Sequence, residues 1–439
     1  MLRSIKNLGR GLNTAGSFRL LALSPDGRLL FGTRVVRLFA YGFLSVVLML
    51  YLMAVGLTET EIGLLFTLTL IGDTGISLWI TTIADRIGRR RMLLVGAALM
   101  LFAGALFALT TNVVLLVVGA AIGVISPSGN EVGPFLSIEQ ASLAQIVPGD
   151  RRVQIFAWYN LVGSFATALG ALGGGVLAQA LQRAGISLLG SYRVIVVGYA
   201  VMGIVIALLF ARLSSAIEAL RASNKSQKGM VSKEPLNRRI HSHLGLYHSG
   251  RVVFKLSALF SLDAFAGGFV LQSVMAYWFY VRFGVQPAIL GVIFFGANML
   301  AGFSALAAVR VASRIGLINT MVFTHIPSNL LLILVPLMPN LRWAIAVLLI
   351  RFSISQMDVP TRQSYTVAIV HPDERSAAAG VTSVARSVGG SLAPALAGKL
   401  MSLTLLNAPF FLAGGLKIVY DLLLYQSFRA IKSLEDGTV

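Results

Sequence analysis

Long apolar stretches recur along almost the whole chain, and short polar loops separate them. Most of these stretches reach about 20 residues, the length that an α-helix needs to cross the hydrocarbon core of a membrane. The pattern predicts an all-α membrane protein with twelve transmembrane helices, which we call spans 1 to 12. The predicted spans cover residues 30–55, 61–83, 91–110, 113–146, 153–181, 193–212, 252–282, 288–309, 317–339, 343–370, 376–402 and 408–427.

Polar stretches divide the chain into five predicted parts. Lys and Arg concentrate in the tails, the linker and every second loop, and the positive-inside rule places these parts in the cytoplasm. The sequence therefore predicts an integral protein of the plasma (inner) membrane with both termini cytoplasmic. The parts are an N-terminal tail (1–29), a six-span half (30–212), a basic linker (213–250), a second six-span half (251–428) and a C-terminal tail (429–439).

Composition narrows the classes of function. The chain is 56% hydrophobic and 12% charged, so the usual division of a 439-residue chain into soluble domains does not apply. The net charge of +19 would suit nucleic acid, but the basic residues follow the loops rather than one helix face. The chain has no cysteine, its five histidines lack metal-ligand spacing, and it has no Gly-rich nucleotide loop. We therefore expect no enzyme activity, no cofactor, no metal and no nucleic acid partner.

The loop between spans 2 and 3 is the most distinctive stretch of the chain. Residues 84–91 hold four arginines between two membrane-length runs, which fixes the loop at the membrane surface. The loop resembles the pattern G-x-x-x-D-R-x-G-R-R of the major facilitator superfamily of secondary transporters, with Thr81 in place of the first Gly. The residues that match are Asp85, Arg86, Gly88, Arg89 and Arg90.

The resemblance implies two six-helix halves that rock around a site at the middle of the membrane. It also implies that the loop has a gating role. In the resembled fold, Asp85 packs beside the start of span 11, near residues 376–380, only while the cytoplasmic side is closed. Alternatively, Asp85 only pairs with neighbouring arginines and sets the topology. The expected gating residues are Asp85, Arg86, Gly88 and Arg89.

Three short matches between the halves indicate an internal repeat. The repeat predicts two pseudo-symmetric six-helix halves, and it places Arg37 of span 1 at the position equivalent to Asp263 of span 7. These opposite charges either meet across the axis between the halves or stand as separately solvated residues near the helix ends. The matching segments are 37–43 with 263–269, 84–88 with 312–316, and 148–151 with 372–375.

Polar residues inside the spans are candidates for substrate binding or coupling, because a charge at membrane depth is costly without a partner or a cavity. Most of them fall on spans 1, 4, 7 and 10, which line the central cavity in the resembled fold. The candidates are Arg37, Tyr41, Asp73, Asn130, Glu131, Glu139, Asp263, Gln356, Asp358 and Arg362.

Two spans support more specific predictions. Residues 126–134 of span 4 hold two prolines and two glycines, which predicts a break, with Glu131 either in the site or capping the half-helix that follows. Asp358 and Arg362 of span 10 stand four residues apart and are expected to pair, as a structural pair or as substrate contacts. Arg34 is expected to extend to the lipid headgroups. Hydrogen bonds between helices are expected from Asn160, Asn298, His325 and Asn329.

The predicted function is proton-linked transport of a small solute through the lipid bilayer by a monomer, by alternating access. Glu131, Asp263 and Asp358 are the residues expected to exchange the proton. Glycines of span 11, from Gly380 to Gly398, resemble a signature of the superfamily's drug antiporters and slightly favour efflux. The alternative is uptake of a solute or an organic anion. The alternative from another class is a membrane receptor or scaffold on a transporter fold.

Overall fold

The computed structural model describes residues 23–148, 151–218, 246–247 and 249–429, and these residues form helices and connecting turns. Most of the predicted tails and linker lies outside the described residues. The helices of the N-terminal half are α1 (Pro25–Ser45), α2 (Leu48–Val55), α3 (Glu59–Ile87), α4 (Arg89–Leu109), α5 (Val113–Ile122), α6 (Phe135–Ile146), α7 (Arg152–Arg183) and α8 (Leu188–Ala211).

The C-terminal half follows with a second set of helices and two 3-10 turns. The helices are α9 (Gly250–Gly268), α10 (Gln272–Phe283), α11 (Pro287–Ile315), α12 (Leu317–Leu334), α13 (Leu341–Phe352), α14 (Asp358–Ile369), α15 (Arg375–Ser402) and α16 (Ala408–Phe428). The 3-10 turns are Val335–Leu337 and Pro372–Glu374.

The predicted repeat is present in the helix boundaries. α3 and α11 are both 29 residues long, and they end at the equivalent residues Ile87 and Ile315. Gly88 and Gly316 follow them with φ of 121° and 85°, a backbone conformation that glycine adopts without strain. The two copies of the loop motif therefore end their helices in the same way.

Spans 1, 4, 7 and 10 are each divided into two helices. The chain bends by 48° between α1 and α2, and twelve residues separate the end of α5 at Ile122 from the start of α6 at Phe135. Shorter breaks separate α9 from α10 and α13 from α14. The sequence predicted only the break in span 4, where prolines and glycines mark it.

Apolarity alone identifies fewer spans than the sequence predicts. Among the described residues, eight stretches are long and apolar enough to cross a membrane, and the bent pair α1–α2 makes a ninth. Spans 4, 10 and 11 fall outside this set. They are the broken pairs α5–α6 and α13–α14, and the long helix α15.

The two halves meet at one end of the bundle. A Cβ atom added at Gly63 of α3 would lie 2.5 Å from the carbonyl oxygen of Pro394 in α15, and one at Gly175 of α7 would lie 2.2 Å from that of Pro287 in α11. Thr60 donates a hydrogen bond to Ser402 at 2.9 Å at the same end. Only glycine allows backbones to approach so closely.

The halves are apart at the opposite end, which carries Pro25 and Glu218. The side chain of Asp85, at this end of α3, is 64% exposed, and a Cβ at Gly380 of α15 would meet open space. Among the described residues, every hydrogen bond between the halves lies at the closed end or level with the helix breaks.

Candidate functional site

A fully buried arginine organises the membrane interior of the N-terminal half. Arg37 of α1 binds Glu139 of α6 through two parallel contacts, Nη1 to Oε1 at 2.7 Å and Nη2 to Oε2 at 2.6 Å. Its Nε contacts Oε1 of Glu131 at 2.7 Å. Bidentate pairing of this kind fixes orientation as well as charge. One guanidinium therefore holds two carboxylates from span 4.

Arg34 belongs to the same cluster, so the prediction that it extends to the headgroups is wrong. Its Nη1 lies 2.8 Å from Oε2 of Glu131, and its Nε donates to the backbone carbonyl of Tyr159 at 2.8 Å. Thr33 donates to Glu139 at 2.9 Å, and the Tyr159 hydroxyl also donates to Glu139. Arg34 binds these partners, which are 97 and 125 residues away along the chain, instead of the headgroups. We call this group the N-terminal cluster. The charges of its two arginines, Arg34 and Arg37, and its two glutamates, Glu131 and Glu139, cancel.

The break in span 4 positions both glutamates. Gly129 and Gly133 take φ of 71° and 81°, which turns the chain between α5 and α6. Tyr41 is buried and donates its hydroxyl to the carbonyl of Val132 at 3.2 Å, which satisfies a backbone group that the break leaves free. α6 has no side-chain cap, so Glu131 binds the arginines instead of capping the half-helix.

A buried carboxylate organises the C-terminal half in the same way. Oδ1 of Asp263 in α9 lies 2.6 Å from Nζ of Lys417, and Oδ2 lies 3.0 Å from Nη1 of Arg386 and 3.1 Å from Nη1 of Arg362. Arg362 also contacts Oδ2 of Asp358 at 2.9 Å, so the predicted pair of span 10 is present. In this C-terminal cluster, one carboxylate holds three cations from three different helices.

A second carboxylate, Asp421 of α16, extends the C-terminal cluster. Nδ1 of His325 lies 2.8 Å from Oδ1 of Asp421, and Asn329 donates to Oδ2 at 3.0 Å. The expected hydrogen bonds between helices are therefore present for both residues of α12. Sequence reasoning missed Lys417 and Asp421, although two opposite charges four residues apart inside an apolar span are a readable signal.

Arg37 and Asp263 do not contact each other, and the expected contact across the axis is wrong for this conformation. Each finds partners of opposite charge inside its own half, and each is at least 97% buried, so neither is separately solvated. All ion pairs among the described residues stay within one half.

Three candidates stand outside both clusters. Asp73 of α3 is half-buried, has no ion pair, and its Oδ1 is buried without a hydrogen-bond partner. Asn130 is exposed in the break of span 4, although that break lies inside the bundle. Gln356 lies in the break of span 10 and donates its backbone N–H to Ser304 at 3.2 Å.

The loop residues 84–91 lie at the open end of the bundle. Asp85 Oδ1 contacts Arg89 Nε at 2.8 Å, and no contact joins it to the start of α15 in this conformation. Glu218, from the segment that follows α8, accepts the backbone N–H groups of Arg89 and Arg90 at 2.7 and 3.3 Å. Arg86 is exposed. The N-terminus of α4 is thus capped by a carboxylate from a distant segment, which stabilises it.

Known proteins with similar sequences or folds are membrane proteins and transporters. The sequence model of the Major Facilitator Superfamily matches residues 30–394. The uncharacterized membrane protein YJR124C of Saccharomyces cerevisiae is 32% identical over 425 residues, which cover 93% of this chain and 95% of the relative.

Two solved structures show the same fold at low identity. A D-xylose–proton symporter matches with a TM-score of 0.69 and 14% identity, covering 94% of this chain and 99% of its own. A bacterial homolog of the human lysosomal transporter Spinster, in an inward-facing and unoccupied conformation, matches with a TM-score of 0.65 and 16% identity. That match covers 92% of this chain and 94% of the other.

Proposed function

Because the chain belongs to the Major Facilitator Superfamily, we propose that it is a proton-linked secondary transporter that moves a small solute by alternating access. With cytoplasmic termini in the plasma membrane, as the loop charges indicate, the open end of the bundle faces inward. The three stretches that apolarity alone misses complete twelve spans. The solute enters from the open end and reaches the helix breaks, where the two clusters lie.

The placement of the ion pairs supports rocking of the halves. Breaking a buried ion pair by removing one partner costs about 3–5 kcal/mol. No such pair crosses between the halves among the described residues, so the halves can separate without that cost. The contacts that do cross include close glycine packing, as at Gly63 and Gly175, a few hydrogen bonds, and apolar contacts such as that of Phe165 with Phe303. Each half can therefore move as one body.

Asp73 supports proton coupling. The three carboxylates expected to exchange the proton, Glu131, Asp263 and Asp358, each hold a cation in this conformation. Asp73 holds none, and burying an isolated carboxylate costs far more than burying the neutral acid. We therefore assign the transported proton to Asp73.

The groups around Asp73 offer it no cation. Glu131 of span 4, Tyr41 of α1 and Tyr199 of α8 are close enough for their charges to interact with it, and Ser77 lies one turn on in α3. Arg386 of the packed helix α15 is held by Asp263. A proton is thus the simplest neutralising partner for Asp73, and its release when the site changes sides would couple flux to the pH gradient.

Flux measurements in proteoliposomes test this proposal. A panel of solutes is screened with and without an imposed pH gradient, and gradient-driven accumulation of at least one solute is expected. Asp73→Asn should abolish accumulation while solute exchange without a gradient persists, and Asp73→Glu should retain part of both. Accumulation that Asp73→Asn leaves unchanged would refute the role of Asp73. Wild-type flux that ignores the gradient would refute proton coupling, and binding without any flux would favour a receptor.

Helix packing offers a second explanation for two of the span 11 glycines that slightly favour efflux, Gly389 and Gly398. A Cβ at Gly389 would lie 2.4 Å from the Ser261 carbonyl oxygen of α9, and one at Gly398 would lie 2.2 Å from the Glu59 carbonyl oxygen of α3. Helix packing therefore accounts for these glycines of span 11, as it does for those of α7. Both directions remain open to the same flux measurement.

A further inference from the structure

One cation at membrane depth has no polar partner in the part of the chain that the structure describes. Within the broken spans and the two clusters, every other deeply placed cation lies within 3.1 Å of a carboxylate oxygen. Arg351, in the last turn of α13, is 9% exposed and makes neither an ion pair nor a hydrogen bond with any described residue. Its Nε is buried without a hydrogen-bond partner. The paired cations are Arg34, Arg37, Arg362, Arg386 and Lys417.

A second unpartnered polar group lies beside Arg351 along the chain. Ser355 follows four residues later, in the break between α13 and α14, and is 6% exposed. Its hydroxyl oxygen is also buried without a hydrogen-bond partner. In contrast, Ser353 of the same break donates its hydroxyl to the carbonyl of Ile350 at 2.7 Å. Two buried donors are therefore left unsatisfied at one helix break.

Leaving these donors unsatisfied is costly. A buried polar group without a hydrogen bond has lost its bonds to water without replacement, and a buried unpaired charge loses still more. The nearest carboxylate in sequence, Asp358, is occupied by Arg362. Among the described residues, the aromatic ring that Arg351 contacts is that of its neighbour Phe352, at 4.9 Å from Cζ. A ligand that supplied acceptor oxygens would recover this energy.

The pairing within the C-terminal cluster leaves Arg351 out. Asp263 is shared by Arg362, Arg386 and Lys417, and Asp358 binds Arg362. Asp421 contacts His325 and Asn329. Among the described residues none of these carboxylates contacts Arg351, so an anionic ligand would supply its missing counter-charge.

We propose that Arg351 and Ser355 form an anion-binding subsite, and that the transported solute is an organic anion with a carboxylate or phosphate group. This inference rests on the proposed transport function and adds the substrate class. The planar guanidinium donates two parallel N–H groups to such an anion, which a lysine cannot reproduce, and the Ser355 hydroxyl adds a third donor. Because the subsite lies within one half, the bound anion moves with that half.

Binding to the purified full-length protein tests the subsite. The probes are benzoate and phenyl phosphate, with benzamide as the neutral analogue and benzylamine as the cationic one, and the readout is the ligand-dependent shift of the thermal midpoint. We expect saturable stabilisation by at least one anion and none by benzamide or benzylamine. The two anions distinguish carboxylate from phosphate recognition.

Substitutions then locate the binding. Arg351→Gln should weaken the anion about tenfold or more, Arg351→Lys should weaken it less, and Ser355→Ala should weaken it a few-fold. Arg342→Gln is the matched control, because Arg342 is an exposed arginine on the same helix and its loss should leave binding unchanged. If neither anion binds better than benzamide, or if Arg351→Gln binds as the wild type does, the proposal is wrong.

The ligand-free protein supplies an independent readout. Arg351→Met removes an unpaired buried charge, so its thermal midpoint should equal or exceed that of the wild type. A fall as large as that of Arg37→Met would assign Arg351 a structural role and overturn the subsite. The two proposals also fail separately. Anion binding without flux would refute transport alone, whereas flux of neutral or cationic solutes that Arg351→Gln leaves unchanged would refute the subsite alone.

Discussion

The two halves of the molecule build their membrane interiors around equivalent positions with opposite charges. Arg37 in the N-terminal half is one cation that holds two carboxylates, and Asp263 in the C-terminal half is one carboxylate that holds three cations. Both residues are buried in the middle of a broken span. The two halves therefore share a central charged residue at the same position, but its charge has the opposite sign in each half.

The reversal gives the halves different chemical capacities. The N-terminal cluster is balanced, and Asp73, a carboxylate of the same half, has no ion pair among the described residues. In the C-terminal half the guanidinium of Arg351 has none among the described residues. The two proposals therefore use different halves: Asp73 of one half exchanges the proton, and Arg351 of the other half holds the anion.

The largest expected effect is the loss of a central residue. Arg37→Met leaves Glu131 and Glu139 without their main partner, and we expect the free energy of unfolding to fall by about 3–5 kcal/mol. Thermal unfolding of the purified protein measures the loss. Adding Glu139→Gln should restore much of it, because the stranded carboxylate of Glu139 disappears while Glu131 keeps Arg34 as its partner. A single variant as stable as the wild type would show that the N-terminal cluster contributes nothing to rigidity.

A smaller effect is expected from Asp358 in the C-terminal half. Asp358→Asn removes one of two carboxylates at Arg362, which still holds Asp263, so the cost should be about 1–3 kcal/mol. Arg362→Gln should cost more, because it strands Asp358 completely. In the double variant Asp263 keeps Arg386 and Lys417, so stability should largely return. A stable double variant that transports fully would exclude the pair from the substrate site, whereas one that cannot bind substrate would place it there.

The smallest effect on stability is expected at the loop motif, where the halves again differ. Asp85 is exposed and pairs with Arg89, and Ser313 takes its place in the second copy. Asp85→Asn should cost less than about 1 kcal/mol in this conformation but favour the inward-open state and slow turnover, since a carboxylate beside a helix N-terminus stabilises the closed contact. Ser313→Ala should do much less.

Accessibility labelling measures this shift. The chain has no cysteine, so a single cysteine introduced near Ser376 reports only on the opening of the end of the bundle that carries the loop motif. Faster labelling is expected in Asp85→Asn than in Ser313→Ala. Equal labelling with and without Asp85 in folded protein would refute the gating role of Asp85. The residue would then only pair with Arg89 and help to set the topology.

The sequence predicted the central residues better than their partners. Arg37 and Asp263 stand out because a charge in an apolar run is conspicuous, and the repeat aligns them. Their partners could not be read in the same way, since Arg37 binds Glu139 102 residues away and Asp263 binds Lys417 154 residues away. Pairing at such separations depends on how the helices pack.

Helix breaks show the same limit. Prolines and glycines around Glu131 mark the break in span 4. The bend of span 1, in contrast, falls at Val46 and Val47, and neither residue is a proline or a glycine. That bend is level with contacts from the other half, where Gln272 donates to Ser45 at 2.8 Å. Tertiary contacts, which a local pattern does not contain, accompany the bend there.

The order of the charged residues along the chain has a consequence for how the protein enters the membrane during synthesis. Arg37 emerges before Glu131 and Glu139, and Asp263 emerges before every cation that it binds. The three spans that fall short on apolarity, spans 4, 10 and 11, are those that contain Glu131 and Glu139, Arg362 and Arg386. A charge at the centre of an inserting helix costs about 2.5–3.5 kcal/mol. A counter-charge that is already in the bilayer offsets that cost. The earliest charged residue of each half should therefore lower the free energy of inserting the later, less apolar spans.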